Sequence, residues 1–358
     1  MASRSTAAQG GTPVRIGLIG YGLAGSAFHA PLIVVTPGLD LAVIVTGNPE
    51  RRQQAERDHP RALIVESVEW LWAHAHDLDV VVVATPNRTH VPLSLAALDA
   101  GLHVVVDKPL APTAHEGQQL VHEARRRDRI LVPFQNRRWD GDFRTAQRLL
   151  REGALGDPSR FESRFERWRP APKTGWRELG DPAEAGGLLF DLGSHLIDQA
   201  LTLFGPVQQV YAELDRRRPG VEVDDDAFVA MSHHSGVRSH LWMSAVAAQP
   251  GPRMRILGSR AAYTKFGLDV QEKALRAGER PGAGWGEDPR DHWGHLSNGT
   301  EEHAVPTERG AYQDFYARLV ATIRLGAPPP VDADDAVATL RVIEAARESA
   351  VGKKLVSL

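Results

Sequence analysis

The chain of 358 residues predicts an α/β protein of two domains: a doubly wound parallel-sheet domain followed by an α/β domain with a large, mostly antiparallel sheet. Three observations carry this. From Val14 onward, short β-branched runs alternate with helical stretches, the pattern of a parallel sheet covered on both faces. After about Gln135 the strand-like segments become longer and alternate apolar with polar residues, as in a sheet with one covered face. The length also exceeds what one hydrophobic core usually fills.

In the first region the apolar runs are VRIGLI, LAVIVT, ALIV, LDVVVVAT, HVVVD and RILVPFQ, with PLSLAALDAG and TAHEGQQLVHEARRR among the helices between them. In the second region a helix, DFRTAQRLLREG, leads into RFESRFERW, QQVYAEL, DAFVAMSHH and VRSHLWMSA. Residues 270–305 are rich in glycine, proline and charge and read as a surface excursion. Terminal helices are expected at Tyr312–Leu325 and Ala333–Val351, divided by the breaker GAPPP. The division expected is 13–135, 136–330 and a C-terminal helical segment 331–358.

Composition narrows the chemistry. The formal charge of -3 gives no general attraction to nucleic acid or to anionic membranes. The absence of cysteine excludes disulfides and thiolate chemistry. The start, MASRSTAAQGGTP, has no apolar stretch of the signal-peptide kind, and no run approaches the ~20 residues that span a bilayer, so a cytoplasmic location is expected. His233 and His234 alternate faces on a strand and cannot share a metal; none is expected.

Directly after the first strand stands Gly20-Tyr21-Gly22-Leu23-Ala24-Gly25, opening into a helix. The first glycine permits a tight turn, the second lets a pyrophosphate approach the backbone, and the third lets helix and strand pack closely. Phosphates then meet the free N–H groups at the helix N-terminus. A site for NAD(H) expects an acid ~20 residues on, where this chain has Val45-Thr46-Gly47-Asn48-Pro49, then Glu50, Arg51 and Arg52. Thr46, Asn48 and Arg51 suit a 2′-phosphate, so NADP(H) is expected over NAD(H); the competing reading is that the arginine pair is a solvated helix start. Two more loops end strands on the same rim: Thr85-Pro86-Asn87 with His90 beyond, and Asp107-Lys108-Pro109.

Together GYGLAG, ATPNRTH, DKP and GGLLFDLGSHLIDQ resemble the Gfo/Idh/MocA family of nicotinamide-dependent sugar and polyol oxidoreductases, and FHAPLI and FQNRRWDGDF most resemble its NADP-dependent scyllo-inositol dehydrogenase branch. The resemblance implies a Rossmann domain, a second domain whose exposed sheet face forms dimers or tetramers, and a last helix that returns to the nucleotide domain. It also implies a small polyol or sugar as substrate.

The family motifs carry onto Asp107, Lys108 and Pro109, and onto Asp191 and His195. The chemistry supports the match. Alcohol oxidation needs a base for the hydroxyl proton, and histidine, with an ordinary pKa of about 6.5, suits that transfer. Lys108 would donate to the substrate oxygen and favour a developing alkoxide, while its charge lowers the pKa of a nearby His195. Asp191 would orient substrate or His195. Helical spacing puts Asp191, His195, Asp198 and Thr202 on one polar stripe. Arg137, Trp139, Trp168, Trp176 and Arg177 are substrate-side candidates, Trp139 foremost, although a single tryptophan is more often core. Two other readings stay open: a different sugar dehydrogenase, reductase or NAD-dependent glycosidase on the same scaffold, and a non-catalytic nucleotide-sensing regulator.

Overall fold

The computed structural model describes residues 11–172 and 175–358. All six expected N-terminal strands form: β1 (Val14–Ile19), β2 (Leu39–Val45), β3 (Leu63–Val65), β4 (Val80–Val83), β5 (His103–Asp107) and β6 (Leu131–Phe134). They make one parallel sheet in the order β3-β2-β1-β4-β5-β6. Every residue of Val80–Val83 is buried, which explains an unbroken valine run: both faces are covered. The covering helices are α1 (Ala30–Val35), α2 (Pro49–Asp58), α3 (Val68–Ala73), α4 (His90–Asp99) and α5 (Ala114–Arg126). The strand order reverses between β1 and β4, and a ligand crevice opens at such a point, beyond the carboxyl ends of the strands.

Helix α6 (Gly141–Arg151) leads into the second domain, which holds β7 (Pro158–Glu166), α7 (Ser194–Phe204), β8 (Val207–Asp215), β9 (Asp226–His233), β10 (Arg238–Ser244), β11 (Met254–Gly258) and β12 (Ala262–Lys265). The segment 270–305 is less of an excursion than its composition suggests. It supplies α8 (Gln271–Arg276), whose Gln271 is fully buried, and the edge strands β13 (Gly294–Ser297) and β14 (Glu302–Val305). With β15 (Val356–Ser357) the sheet has nine strands in the order β14-β13-β12-β11-β7-β10-β9-β8-β15. It is antiparallel throughout except for the parallel pair β7 and β10. Along β9 burial alternates strictly, Ala227, Val229, Met231 and His233 facing the core, as a one-sided sheet requires.

The return to the nucleotide domain begins one helix earlier than expected. Helix α9 (Gln313–Leu325) packs on α1, with Phe315 and Tyr316 against Phe134 and the Tyr316 hydroxyl 2.6 Å from His29 Nδ1. Helix α10 (Ala333–Gly352) then packs on both domains, touching α5 on one side and β8 and α7 on the other. Gly117 of α5 lets it close: an added Cβ there would stand 3.2 Å from Leu340. One buried apolar cluster therefore runs from the Rossmann strands through α10 into the second sheet.

Candidate active site

The glycine turn is shaped by backbone approaches that no side chain could share. Gly20 has φ +97°, and a Cβ on it would lie 2.4 Å from the Ala84 carbonyl oxygen on the neighbouring β4. A Cβ on Gly25 would lie 2.0 Å from the Gly20 carbonyl oxygen. Gly22 is different. The nearest groups to its added Cβ belong to the Arg51 guanidinium, 3.6 Å away, so the space above it is open and flanked by a cation. That arrangement fits a pyrophosphate with a further phosphate near Arg51. The turn does not pass straight into an α-helix: Ala24–His29 is π-helical, and α1 follows.

The other cofactor-side residues divide by role. Arg51 is exposed and makes no ion pair among the described residues, whereas Arg52 is spent on Glu56 and Glu66. The Asn48 side chain caps α2 by accepting from the Arg51 N–H at 2.9 Å, and Thr46 is buried. Leu23 is exposed at the turn and Ala24 half-buried, but the Tyr21 side chain lies beneath it, donating to Asp58 at 3.0 Å; only its backbone faces the crevice. Thr85 is half-buried and accepts from the Thr89 hydroxyl at 2.7 Å, and Pro86 is exposed. His90 is fully buried as a tie between the two rim loops, its nitrogens 2.9 Å from the Thr85 carbonyl oxygen and 2.7 Å from that of Pro109. Asn87 reaches the second domain instead, donating to the Glu184 carbonyl oxygen at 2.8 Å.

Where the domains meet, a small pocket is lined by Asn87, Lys108, Pro109, Trp176, Arg177, Ala185 and Asp191. Lys108 ends β5, with its N–H held by the Asp107 carboxylate at 2.8 Å and a cis peptide to Pro109. Its ammonium donates to the Asp191 carboxylate at 3.0 Å and to the Asp191 carbonyl oxygen. Asp191 sits in a second π-helical stretch, Leu189–Gly193, which precedes α7. Single π-turns of this kind re-aim side chains and cluster at functional sites. Gly187, at φ +95°, allows the chain to enter: a Cβ there would be 2.2 Å from Asp224, whose carboxylate accepts from the Leu189 N–H at 2.7 Å.

The electrostatics assign states to the pair. Burial alone would raise the Asp191 carboxyl, but Lys108, Arg177 and Arg167 outweigh it and hold the group well below the usual carboxylate range. His195 is buried, and burial together with the charges of Lys108, Arg137 and Arg253 pushes its pKa well below the ordinary value against the opposing pull of Asp191. Its Nδ1 has no hydrogen-bond partner. At neutral pH the site thus holds the Asp191 carboxylate ionised and the His195 imidazole neutral, the form in which a histidine can take a proton from an alcohol.

Several sequence expectations are redirected. The polar stripe splits after His195: Asp198 is buried and accepts two hydrogen bonds from Arg138, at 2.8 and 2.6 Å, and Thr202 bonds back to the Asp198 carbonyl oxygen. The reason is that Arg138 also pairs with Asp335 at 3.0 Å, so Asp198 fastens α7 to the turn Asn136–Trp139 after β6 and to α10. Trp139 is packed in the core edge-on to Phe315, with ring centroids 5.7 Å apart, and does not line the pocket. Trp168 is exposed, away from that lining. Trp176 does line it, with the Arg177 guanidinium 4.1 Å from its ring centroid. Arg137 lies beneath the pocket, paired with Asp140 at 3.3 Å and with Glu272, and stacked on Phe165.

Two contributors were not found by sequence reasoning. Arg253, paired with Asp142 at 3.2 Å and bonded to Gln199 at 3.0 Å, brings a buried charge under His195. Arg167, at the end of β7, reaches Asp191 at 3.8 Å. Its only sequence signal was adjacency to Trp168. Among the described residues no group of three or more His, Asp or Glu could hold a metal ion, and no helix is long and apolar enough to cross a membrane.

Comparison with known proteins agrees with this geometry. Residues 14–134 match the model of an oxidoreductase family's NAD-binding Rossmann fold, and 147–358 that of its C-terminal alpha/beta domain. The chain is 41% identical over 340 residues to the uncharacterized oxidoreductase YdgJ of Escherichia coli, covering 94% of this chain and 96% of that one. It is 35% identical over 350 residues to the scyllo-inositol 2-dehydrogenase (NADP(+)) IolW of Bacillus subtilis, covering 96% of each. The solved structure of the oxidoreductase YvaA of Bacillus subtilis superimposes with a TM-score of 0.91 at 35% identity, over 97% of this chain and 99% of that one. Matched in both domains over nearly its whole length, the chain belongs to the Gfo/Idh/MocA family of oxidoreductases.

Proposed function

We propose that this enzyme transfers a hydride between NADP(H) and a secondary alcohol of a cyclitol or sugar, acting as a dehydrogenase of the scyllo-inositol type. The observation that carries the reading is the convergence of Lys108, Asp191 and a neutral, buried His195 beside the rim that holds the glycine turn. When bound, the nicotinamide supplies the hydride acceptor. The chain's residues do the rest. His195 takes the hydroxyl proton; Lys108 donates to the same oxygen and offsets the charge that develops on it. Asp191 holds the Lys108 ammonium in place and accepts from a neighbouring substrate hydroxyl. Trp176 offers an aromatic face to the C–H side of a ring, and burial, with the charges of Lys108 and Arg137, keeps His195 unprotonated until the proton arrives.

Gly20, Gly22 and Gly25 give the pyrophosphate its cradle, and the unpaired Arg51 beside Gly22 favours a 2′-phosphate. The 35% identity to a relative named for NADP(+) supports that preference. The exposed face of the large sheet, with Phe228 and Trp242 5.1 Å apart, supports assembly into a homodimer or homotetramer, which light scattering would measure. The direct test is turnover of inositols, inososes and common aldoses with each cofactor. Oxidation of an inositol with NADP+ by the wild type, lost in His195→Ala, is the expected result; no turnover of any polyol or sugar rejects the reading.

A further inference from the structure

Two arginines gathered on Asp191 bring more charge than it can neutralise. Asp191 is the shared acceptor of three cations: Lys108 at 3.0 Å, Arg177 at 3.3 Å and Arg167 at 3.8 Å. Among the described residues Arg167 and Arg177 have no other carboxylate within ion-pair distance. Of the other cations nearby, Arg137 is paired with Asp140 and Glu272, Arg253 with Asp142, and Arg218 with Asp225 and Glu178, while Arg169 has no carboxylate partner among the described residues and adds to the surplus around Arg167. The surplus is therefore centred on Asp191, which lines the pocket together with Arg177.

The surplus is also costly as it stands. Arg167 is 30% exposed, and burial, the like charge of Arg169 and that of Arg137 all act against its protonated form, with Asp191 and Glu272 opposing. A guanidinium taken partly out of water needs a partner of opposite charge, and Asp191 is already held most closely by Lys108. The hydroxyls of a neutral polyol accept hydrogen bonds but bring no charge. A carboxylate or phosphate would accept the planar guanidinium forks and supply the missing charge. Arg177 is poised for this, its plane set against the Trp176 ring that lines the pocket.

We propose that the substrate carries an anionic group, a carboxylate or a phosphate, besides the hydroxyl that is oxidised, and that Arg167 and Arg177 receive it. The proposal rests on the oxidoreductase reading above and deepens it: a neutral inositol is still oxidised, and a polyol or sugar that also carries an acidic group is the better substrate. Family membership does not demand it, because the oxidation needs only Lys108, Asp191 and His195.

The test compares matched neutral and acidic probes on the full-length enzyme with NADP+ present. Calorimetric affinity and turnover are measured for D-glucitol, D-gluconate and D-glucitol 6-phosphate. At least one acid binds ~10-fold or more tightly than the neutral polyol, the better acid tells carboxylate from phosphate, and added salt weakens the acid alone. Arg177→Gln, at a side chain 45% exposed, and Arg167→Gln each remove most of that difference, thermal denaturation checking that both variants are folded. Turnover of D-glucitol with no gain for either acid overturns the inference and leaves the oxidoreductase reading standing. Tight acid binding that both variants weaken, with no turnover of any probe, supports the anion site and counts against the reaction. An acid preference unchanged in both variants overturns the assignment to these arginines.

Discussion

The two ligand-facing turns are built alike and work differently. Each is a glycine-rich turn running into a π-helical stretch and then an α-helix: Gly20–Gly25 into Ala24–His29 and α1, and Gly186–Gly187 into Leu189–Gly193 and α7. The first turn presents backbone, and Gly20 and Gly25 are required because carbonyl oxygens approach within 2.0 to 2.4 Å of where a Cβ would stand. The second turn presents side chains, and Gly187 is required because the Asp224 carboxylate occupies its Cβ space. A backbone cradle recognises phosphate by geometry alone. A charged constellation must instead be assembled from several elements, here β5, the strap carrying Trp176 and Arg177, the end of β7, and α7.

The largest effect expected from that difference is chemical. His195→Ala lowers kcat by about 10²–10⁴-fold while leaving NADP+ affinity within a few-fold, as stopped-flow turnover and fluorescence titration would show. A parallel fall in cofactor affinity would mean that the two turns are not separable. On the other turn, Gly25→Ala raises the cofactor Kd and lowers thermal stability by about 1–3 kcal/mol, because the new methyl group collides with the Gly20 carbonyl. Retained cofactor affinity in that variant would show that the cradle can relax.

A pH effect separates the turns further. Burial raises the Asp224 carboxyl to about 6, although its bonds from Leu189 and Leu188 pull the other way. A group raised in the folded state stabilises below its unfolded pKa, and that contribution is lost as pH rises through about 6. Unfolding free energy therefore declines between about pH 4 and pH 7 by a contribution of about 3 kcal/mol that Asp224→Asn removes, as denaturant titrations at several pH values would measure. His195 works in the opposite sense. Its depressed pKa places the acid limb of kcat/KM below the ordinary histidine value, and Lys108→Arg, which keeps the charge, leaves that limb in place even as turnover falls.

The smallest effect expected belongs to specificity. Arg51→Ala reduces the preference for NADP+ over NAD+ by about 10-fold, with kcat on the preferred polyol unchanged, since one exposed charge–phosphate contact is involved. Equal loss with both cofactors would assign Arg51 to the helix rather than to the phosphate.

Much of this molecule was legible in the order of residues. The six parallel strands, the glycine turn and the position of Lys108 directly after β5 follow from patterns with short-range causes: β-branched runs buried on both faces, glycines where a backbone carbonyl approaches, a proline directly after the lysine that closes the strand. Elsewhere short-range patterns misled. Asp198 shares a helical stripe with His195, yet Arg138 from the turn after β6 claims it; Trp139 looked like a stacking platform, yet Phe315 from a helix nearly two hundred positions away covers it.

The deepest part of the site was in neither class. Arg167, Arg253 and Glu272 stand in unremarkable local contexts and acquire meaning only through partners distant in sequence: Arg167 through Asp191, Arg253 through Asp142 and His195, and Glu272 through Arg137. Backbone-built features are inscribed locally because each glycine answers a steric demand from its immediate neighbours or the adjacent strand. Charge balance is a property of distances between distant segments, so the neutrality of His195 and the unmatched arginines above it come into being only when the chain has closed.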